Sequence, residues 1–169
     1  REIKKDELNL FQNLYKQTML LNNADKFFFY SNEYFENLFQ NVLFQKNFIY
    51  GIFHNKKLIA AAWFIVFKNI AVYHLGCNNR DIPGVSNYVI KEGIRDLVRN
   101  KDVLKINLTG GRSEDVKDSL LRFKLSISNS KKDFFVGKRT IMPNIYNEFI
   151  SRYNSLNRKI PSNKFIPWS

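Results

Sequence analysis

One loop of the sequence combines residue types that bind phosphate groups. It runs from Asn78 to Gly84, after an apolar stretch that predicts a strand and before one that predicts a helix. The first N–H groups of a helix are unpaired and lie at the positive end of its dipole, so they attract anions. Arg80 would add a charge-assisted hydrogen bond, and Gly84 would let the backbone approach a ligand. An ordinary connection that uses its proline and glycine only to turn explains the same residues.

A second candidate follows the next predicted strand, where Gly110 and Gly111 precede Arg112. Glycines in this position can expose the backbone to a ligand, and an arginine side chain can clamp a phosphate or a carboxylate. A left-handed turn between the strand and the following helix accounts for the two glycines equally well. Both explanations stay open on the sequence alone.

Lys124 is the candidate for catalysis. It borders the apolar stripe of a predicted helix, one residue after Phe123 and four residues after Leu120. A lysine in this position can be partly desolvated and can direct its ammonium group into a cleft. There it would stabilise the oxyanion that forms when a carbonyl carbon is attacked, an interaction that often dominates acyl-transfer catalysis. The alternative is a surface lysine whose aliphatic part packs on the stripe while its charge stays in water.

Other kinds of site find little support in the sequence. Cys77 is the only cysteine, which excludes an intrachain disulfide and a cysteine-based zinc site. His54 and His74 are the only histidines. We expect His54 to be solvated beside a turn and His74 to be hydrogen-bonded within the sheet. No Ser–His–Asp or Cys–His arrangement is evident, and we predict no metal site.

The composition is that of a globular and strongly basic chain. Of 169 residues, 44% are apolar and 15% aromatic, and 27 basic residues face 15 acidic ones. Residues 1–100 carry 13 basic and 9 acidic residues, and residues 101–169 carry 14 and 6, so most of the +12 charge lies in the second part. This charge attracts phosphates, nucleic acids and anionic membranes, although a compositional bias toward lysine would produce it too. No apolar run approaches the ~18 residues of a membrane span.

Hydrophobic periodicity places these candidates on secondary structure. Apolar stripes at helical spacing predict helices over residues 3–22, 31–43, 85–99, 114–127 and 145–156. Runs rich in β-branched and aromatic residues predict strands over residues 48–54, 58–67, 70–77, 103–108 and 134–140. The turns between the first three strands are too short for a crossover, so these strands are predicted to form an antiparallel meander.

The order of elements predicts the α/β class. A meander followed by β-α-β units requires a mixed sheet with helices on both faces, and ligands bind such sheets beyond the carboxyl ends of the strands. We expect a single domain over residues 1–169. Its parts would be N-terminal helices over 1–45, the sheet core over 46–140, and a helix with an extended tail over 141–169.

The order of the motifs resembles that of the GNAT acyltransferases, most closely their FemABX-like branch, which extends peptidoglycan side chains or modifies related envelope precursors. The resemblance covers most of the chain, from about Tyr34 to Phe149. It rests on short segments in a common order, namely Tyr34-Phe35, Leu58–Ala61, Tyr73–Gly76, Ile106–Gly111, Phe123-Lys124, Phe135–Lys138 and Ile145-Tyr146.

The resemblance implies a GNAT-like fold and transfer of an acyl or aminoacyl group to an amine of a cell-envelope precursor, an amino sugar or another small molecule. It also implies that Lys124 supports the tetrahedral intermediate. The donor would be acyl-CoA, as in most GNAT enzymes, or an aminoacyl-tRNA, as in the FemABX-like branch. The loop after the third strand lacks the Arg/Gln-x-x-Gly-x-Gly/Ala signature, so both donors stay open. The residues expected to bind donor or substrate are Tyr73, Asn78, Arg80, Gly84, Gly110, Gly111 and Arg112.

A non-catalytic module is the alternative. It would keep the GNAT-like fold and bind RNA or another polyanion through its basic surface. FemABX-like enzymes carry two such domains, and because the sequence begins at Arg1 it would suit the C-terminal domain of a longer enzyme. We expect a cytoplasmic protein, since both candidate donors occur in the cytoplasm and no signal peptide opens the sequence.

Overall fold

A computed structural model of the chain describes residues 1–40, 46–111, 115, 117–128, 130–133, 137 and 139–155. The chain divides into two units, Arg1–Lys131 and Lys132–Ser169. Within the described residues, the first unit holds one sheet and four α-helices and the second holds a single helix. No helix in the described part of the chain is long and apolar enough to cross a membrane.

The sheet of the first unit has its strands in the order in which they occur along the chain. The strands are β1 (Glu2–Ile3), β2 (Lys46–His54), β3 (Lys57–Phe67), β4 (Ile70–Asn78) and β5 (Lys105–Asn107). Neighbours pair antiparallel from β1 to β4, whereas β5 pairs parallel with β4. The predicted antiparallel meander and mixed sheet are therefore confirmed. Asn55 and Lys56 both have positive φ, of 49° and 63°, which suits the tight β2–β3 hairpin.

Two helices cover one face of the sheet, α1 (Leu8–Leu21) and α2 (Asn32–Gln40). The aromatic rings of Phe11 from α1 and Phe35 from α2 both contact Trp63 of β3, at centroid distances of 5.3 and 6.2 Å. The Ser31 hydroxyl accepts a hydrogen bond from the Tyr34 N–H at 3.2 Å, so serine caps α2.

The opposite face is covered by α3 (Val85–Asn100), with Phe123 of α4 (Ser119–Leu125) packed against the same core. Val89 and Leu97 of α3 are buried there. Gly93 lets α3 lie close to the sheet, because a Cβ at this position would lie 2.8 Å from ring atoms of Phe64 and Tyr50. Helices on both faces were predicted, and the structure confirms them.

The close packing at Gly93 leads to a stability prediction. We expect Gly93→Ala to lower the free energy of unfolding by about 1–3 kcal/mol, the usual cost of overpacking a core. Helix propensity alone would give the opposite sign, since alanine is favoured over glycine in a helix interior by about 1 kcal/mol. Urea unfolding of the variant, with the exposed Lys91→Ala on the same helix as control, measures the difference. A stabilised Gly93→Ala protein would contradict the close packing.

The first predicted helix starts too early. Residues Glu2–Ile3 form β1 instead, and α1 begins at Leu8. Ile3 is buried and pairs with Ile49, and the terminal ammonium of Arg1 donates to the carbonyl oxygen of Gly51 at 3.0 Å. The backbone groups of these residues thus pair with β2 and form the edge strand of the sheet. The helical spacing of the apolar residues that follow could not indicate this strand.

Two other elements are shorter than predicted. The strand predicted over 103–108 is limited to β5, and the helix predicted over 114–127 is limited to α4. Asp118 sets the start of α4, since its carboxylate accepts from the Leu121 N–H at 2.8 Å. The part of the second predicted helix beyond Gln40 and most of the strand predicted over 134–140 lie outside the described residues.

The second unit contains α5 (Pro143–Ser155), close to the predicted range of 145–156. It starts with a proline. Proline suits the first helical position because an N–H group there would have no intrahelical partner. Arg152 and Glu148 form an i,i+4 ion pair at 2.7 Å on its exposed surface. The tail predicted to be extended lies outside the described residues.

Candidate active site

The sheet opens where β4 and β5 stop pairing. Ile70, Ala71 and Val72 pair with β5, and the rest of β4, Tyr73–Asn78, has no strand partner on this side among the described residues. We call this part of β4 the open edge. It lies toward the carboxyl ends of two parallel strands, the usual place for a ligand in such a sheet.

A β-bulge lies at the start of the open edge. Trp63 of β3 pairs with Leu75 and the next residue of β3, Phe64, pairs with Tyr73, so His74 is the extra residue. The bulge places Tyr73 and Gly76 on the same face, where the Tyr73 hydroxyl would lie only 1.9 Å from a Cβ at position 76. Only glycine therefore fits at Gly76 while the Tyr73 ring keeps its position.

Lys124 lies between the start of the open edge and the turn after β5. Its ammonium group donates to Thr109 Oγ1 at 2.6 Å and to the Gly110 carbonyl oxygen at 2.7 Å. It also lies 5.9 Å from the centroid of the Tyr73 ring. With 7% of its surface exposed, it is not a snorkelling surface lysine.

The electrostatics of Lys124 follow from this burial. Desolvation lowers the pKa of the ammonium group, and the Asp118 carboxylate partly opposes that shift. A lysine ammonium has three N–H donors, and the described residues accept two of them. The third N–H can therefore bind a ligand oxygen with little reorganisation of the side chain.

In the turn after β5, the residue with left-handed backbone conformation is Thr109 and not one of the two glycines that the sequence suggested. Thr109, with φ of 63°, adopts that conformation, and its N–H bonds to the Asn107 side chain at 2.8 Å. Gly110 and Gly111 do not have positive φ. Gly111 is closely surrounded instead, because a Cβ there would lie 2.9 Å from the Asp118 carboxylate and 3.0 Å from Leu121 Cβ. Arg112 lies outside the described residues.

The loop after β4 is held to α1. The Asn78 N–H donates to the buried Thr18 hydroxyl at 3.1 Å, and Thr18 in turn donates to the Leu14 carbonyl oxygen at 2.8 Å. The exposed Arg80 guanidinium bonds to the Asn22 side-chain oxygen, just after α1. These contacts fix the path of the loop and keep the Arg80 charge near the surface.

Gly84 ends the loop in a left-handed conformation, with φ of 77°, and directly precedes α3. No side chain caps this helix start. Open space surrounds Gly84 where a side chain would be, so a ligand can approach the backbone. Asn87 in the first turn of α3 donates to the Ser126 hydroxyl at 3.2 Å, which brings this helix start beside the end of α4.

The structure thus places the predicted site residues along the open edge, on the loop that follows it and on the turn after β5. Lys124 bonds to Gly110 and lies 5.9 Å from the centroid of the Tyr73 ring, and Asn78, Arg80 and Gly84 follow along the chain from the open edge to the start of α3. A groove of about 420 Å³ lies elsewhere, against Tyr50 and Tyr88, and includes none of these residues. No group of three potential metal ligands occurs among the described residues.

Sequence reasoning did not identify the pair formed by Tyr34 and His74. The Tyr34 hydroxyl and His74 Nε2 are 2.8 Å apart, although 40 positions separate them in the sequence. Tyr34 also stacks on Tyr30 at a centroid distance of 4.2 Å, and the exposed Phe27 packs edge-on against Tyr30. These rings lie on the α1 and α2 side of the open edge. His54 is exposed beside the β2–β3 turn, as expected.

No family model matches the sequence, and no curated protein matches it either. Several solved acetyltransferases match the structure. An aminoglycoside acetyltransferase from an uncultured soil metagenomic sample, in complex with sisomicin, is 12% identical, with a TM-score of 0.62 over 84% of this chain and 95% of its own. The ribosomal-protein-alanine N-acetyltransferase of Brucella melitensis biovar Abortus 2308 is 14% identical, with a TM-score of 0.57 over 83% of this chain and 96% of its own.

A third similar structure is an aminoglycoside N-acetyltransferase in complex with CoA. It is 14% identical, with a TM-score of 0.53 over 84% of this chain and 93% of its own. The chain has the GNAT acetyltransferase fold. At such low identities the likeness establishes the fold alone, and nothing in these neighbours favours the FemABX-like branch in particular.

Proposed function

We propose that this protein transfers an acyl group from acyl-CoA to an amine of a small molecule. The observation that carries the proposal is the buried Lys124 ammonium at the open edge, with one N–H free of described partners. It occurs in a fold shared with several acetyltransferases. A buried cation aimed at a developing oxyanion needs little reorganisation during the reaction and is worth more there than in water.

The donor would lie along the open edge. Its phosphates would bind the N–H groups at the start of α3, together with Arg80 and the backbone at Asn78 and Gly84. Arg112 stays a proposed contact from the sequence. The aminoglycoside acetyltransferase solved with CoA supports acyl-CoA as donor.

The reaction would proceed by direct attack of the amine. Its lone pair forms the new bond to the thioester carbonyl carbon, the carbonyl oxygen becomes negative beside Lys124, and the C–S bond then breaks to release CoA thiolate. The amine gives up one proton and the thiolate takes one, so the products are an amide and the CoA thiol. The protein supplies proximity and charge stabilisation in this scheme.

Several classes of amine are candidates for the acceptor. One neighbour has sisomicin bound, which makes amino sugars a reasonable first class to test. A cell-envelope precursor as acceptor and an aminoacyl-tRNA as donor rest on the sequence resemblance to FemABX-like enzymes. We also propose a cytoplasmic location, where acyl-CoA is available.

Calorimetric titration with acetyl-CoA tests the donor. We expect micromolar binding at moderate salt, and about 5- to 10-fold weaker binding for Arg80→Ala, the loss expected for one exposed charge-assisted contact to phosphate. Lys91→Ala, an exposed lysine on the outer surface of α3, is the matched control and should leave binding unchanged. Absence of binding by the unmodified protein would discard acyl-CoA as donor.

The acceptor class is tested by thiol release from acetyl-CoA in the presence of sisomicin, glucosamine or a peptide that begins with alanine. Release that depends on both substrates supports the transferase. The second candidate function, a polyanion-binding module, is favoured by the +12 net charge. It predicts RNA binding whose affinity falls steeply with salt, without any transfer activity.

A further inference from the structure

His74 occupies an unusual position in the sheet. It is the extra residue of the bulge and lies two residues after Val72, the last β4 residue that pairs with β5. The half-buried imidazole is fixed by the 2.8 Å hydrogen bond between Nε2 and the Tyr34 hydroxyl. The bulge and this hydrogen bond together fix the position of the imidazole at the open edge.

The second ring nitrogen of His74 is open. No described residue forms a hydrogen bond with Nδ1, and no buried side-chain nitrogen or oxygen in the described part of the chain lacks a partner. Nδ1 must therefore be accessible to solvent. When Nε2 carries the proton and donates it to Tyr34, Nδ1 holds a lone pair and can accept a proton.

We propose that His74 is a catalytic residue that accepts a proton from the acceptor amine at Nδ1, with Tyr34 as its positioning residue. This inference rests on the acyl-transfer function proposed above. Lys124 and His74 then serve different parts of one reaction from the two faces of β4. Lys124 stabilises the oxygen of the donor carbonyl, and His74 receives the proton of the attacking nitrogen.

The proton balance of this step is complete. The amine nitrogen uses its lone pair to bond to the carbonyl carbon, and the nitrogen then carries a surplus proton. That proton moves to Nδ1 as the C–S bond breaks, which leaves an amide, a CoA thiolate and an imidazolium whose Nε2–H still bonds to Tyr34. The imidazolium returns the proton to the thiolate or to water, and His74 is ready for the next cycle.

The surroundings keep His74 neutral near physiological pH. Burial lowers the pKa of the imidazole below its ordinary value of 6.5. Tyr15, Tyr30 and Tyr34 from the helical layer and Cys77 from β4 belong to the core on this side of the sheet. Burial raises the pKa of Tyr15, Tyr34 and Cys77, so these groups stay uncharged when His74 titrates.

The pH profile of acetyl transfer distinguishes this role from a structural one. The amine would be whichever of sisomicin, glucosamine and the alanine peptide the unmodified protein acetylates. Since protonated His74 cannot accept a proton, kcat/KM is expected to fall more steeply than protonation of the amine alone explains as pH drops through the His74 pKa, below 6.5. In His74→Gln, which can keep a hydrogen bond to Tyr34, kcat/KM should be about 10²-fold lower, and only the fall caused by protonation of the amine should remain. His74→Ala should regain activity when imidazole is added.

Control variants complete the experiment. His54→Ala removes the other, exposed histidine and should leave the profile unchanged, and Tyr34→Phe should shift the steeper fall without removing it. The Kd for acetyl-CoA should stay the same in His74→Gln. If the protein acetylates an amine and His74→Gln keeps its rate and the steeper fall, this inference alone is overturned. If the protein acetylates none of the three amines, the proposed function fails and the inference fails with it.

Discussion

Replacing Lys124 with methionine is expected to lower kcat/KM for acetyl transfer by about 10²-fold or more, the scale of losing one oxyanion donor. Methionine keeps the length and much of the volume of the side chain but cannot donate to an oxyanion. Steady-state kinetics with acetyl-CoA and the acetylated amine measure the loss. The Kd for acetyl-CoA should change only a few-fold, because the interaction with Lys124 strengthens mainly in the transition state.

Lys124→Met also affects stability, and the two effects must be separated. The variant leaves Thr109 Oγ1 and the Gly110 carbonyl oxygen without their donor. Both residues are exposed, so water can replace it, and we expect a loss of only about 0.5–1.5 kcal/mol in the free energy of unfolding. Urea unfolding gives this cost, and kinetics well below the unfolding transition give the catalytic loss. Lys91→Ala controls for the removal of one positive charge. Unchanged turnover in a folded Lys124→Met protein would remove Lys124 from the mechanism.

Local patterns were sufficient to predict the main elements. The three strands of the meander are separated by short turns, and each helix shows an apolar stripe, so their type and order follow from neighbouring residues. The same reasoning predicted that Lys124 borders the core, because it lies at the edge of the apolar stripe of its helix, and its 7% exposure agrees with that position. Its burial depends on the turn at Thr109 and could not be read from the helix alone.

Contacts between distant residues could not be predicted in the same way. The hydrogen bonds from Tyr34 to His74 and from Asn78 to Thr18 join residues 40 and 60 positions apart. The bulge at His74 depends on the register of β3 against β4, which a strand pattern with a period of two does not specify. For this reason alternation along β4 would place His74 and Gly76 on one face, whereas the structure places Gly76 with Tyr73.

The fit of Gly76 beneath Tyr73 should be as sensitive to substitution as Lys124 is. In Gly76→Ala the new Cβ would lie 1.9 Å from the Tyr73 hydroxyl oxygen and 3.0 Å from the adjoining ring carbon, so the ring must move. The ring packs against Phe64 and faces the Lys124 ammonium, so its displacement disturbs the open edge. We expect a loss of about 1–3 kcal/mol in the free energy of unfolding. Turnover should fall by about 10²-fold, because small displacements at a reacting centre are costly.

A double-mutant cycle with Tyr73→Phe tests the cause of that loss. The phenylalanine ring lacks the hydroxyl oxygen that causes the closest clash. No described residue forms a hydrogen bond with the Tyr73 hydroxyl, so Tyr73→Phe alone should change stability little. Combined with Gly76→Ala, it should restore at least half of the lost stability and part of the lost turnover, because the two substitutions act on one contact. Additive losses in the double variant would show that Gly76→Ala acts through the backbone of β4. The bulge itself, rather than the position of the Tyr73 ring, would then shape the open edge.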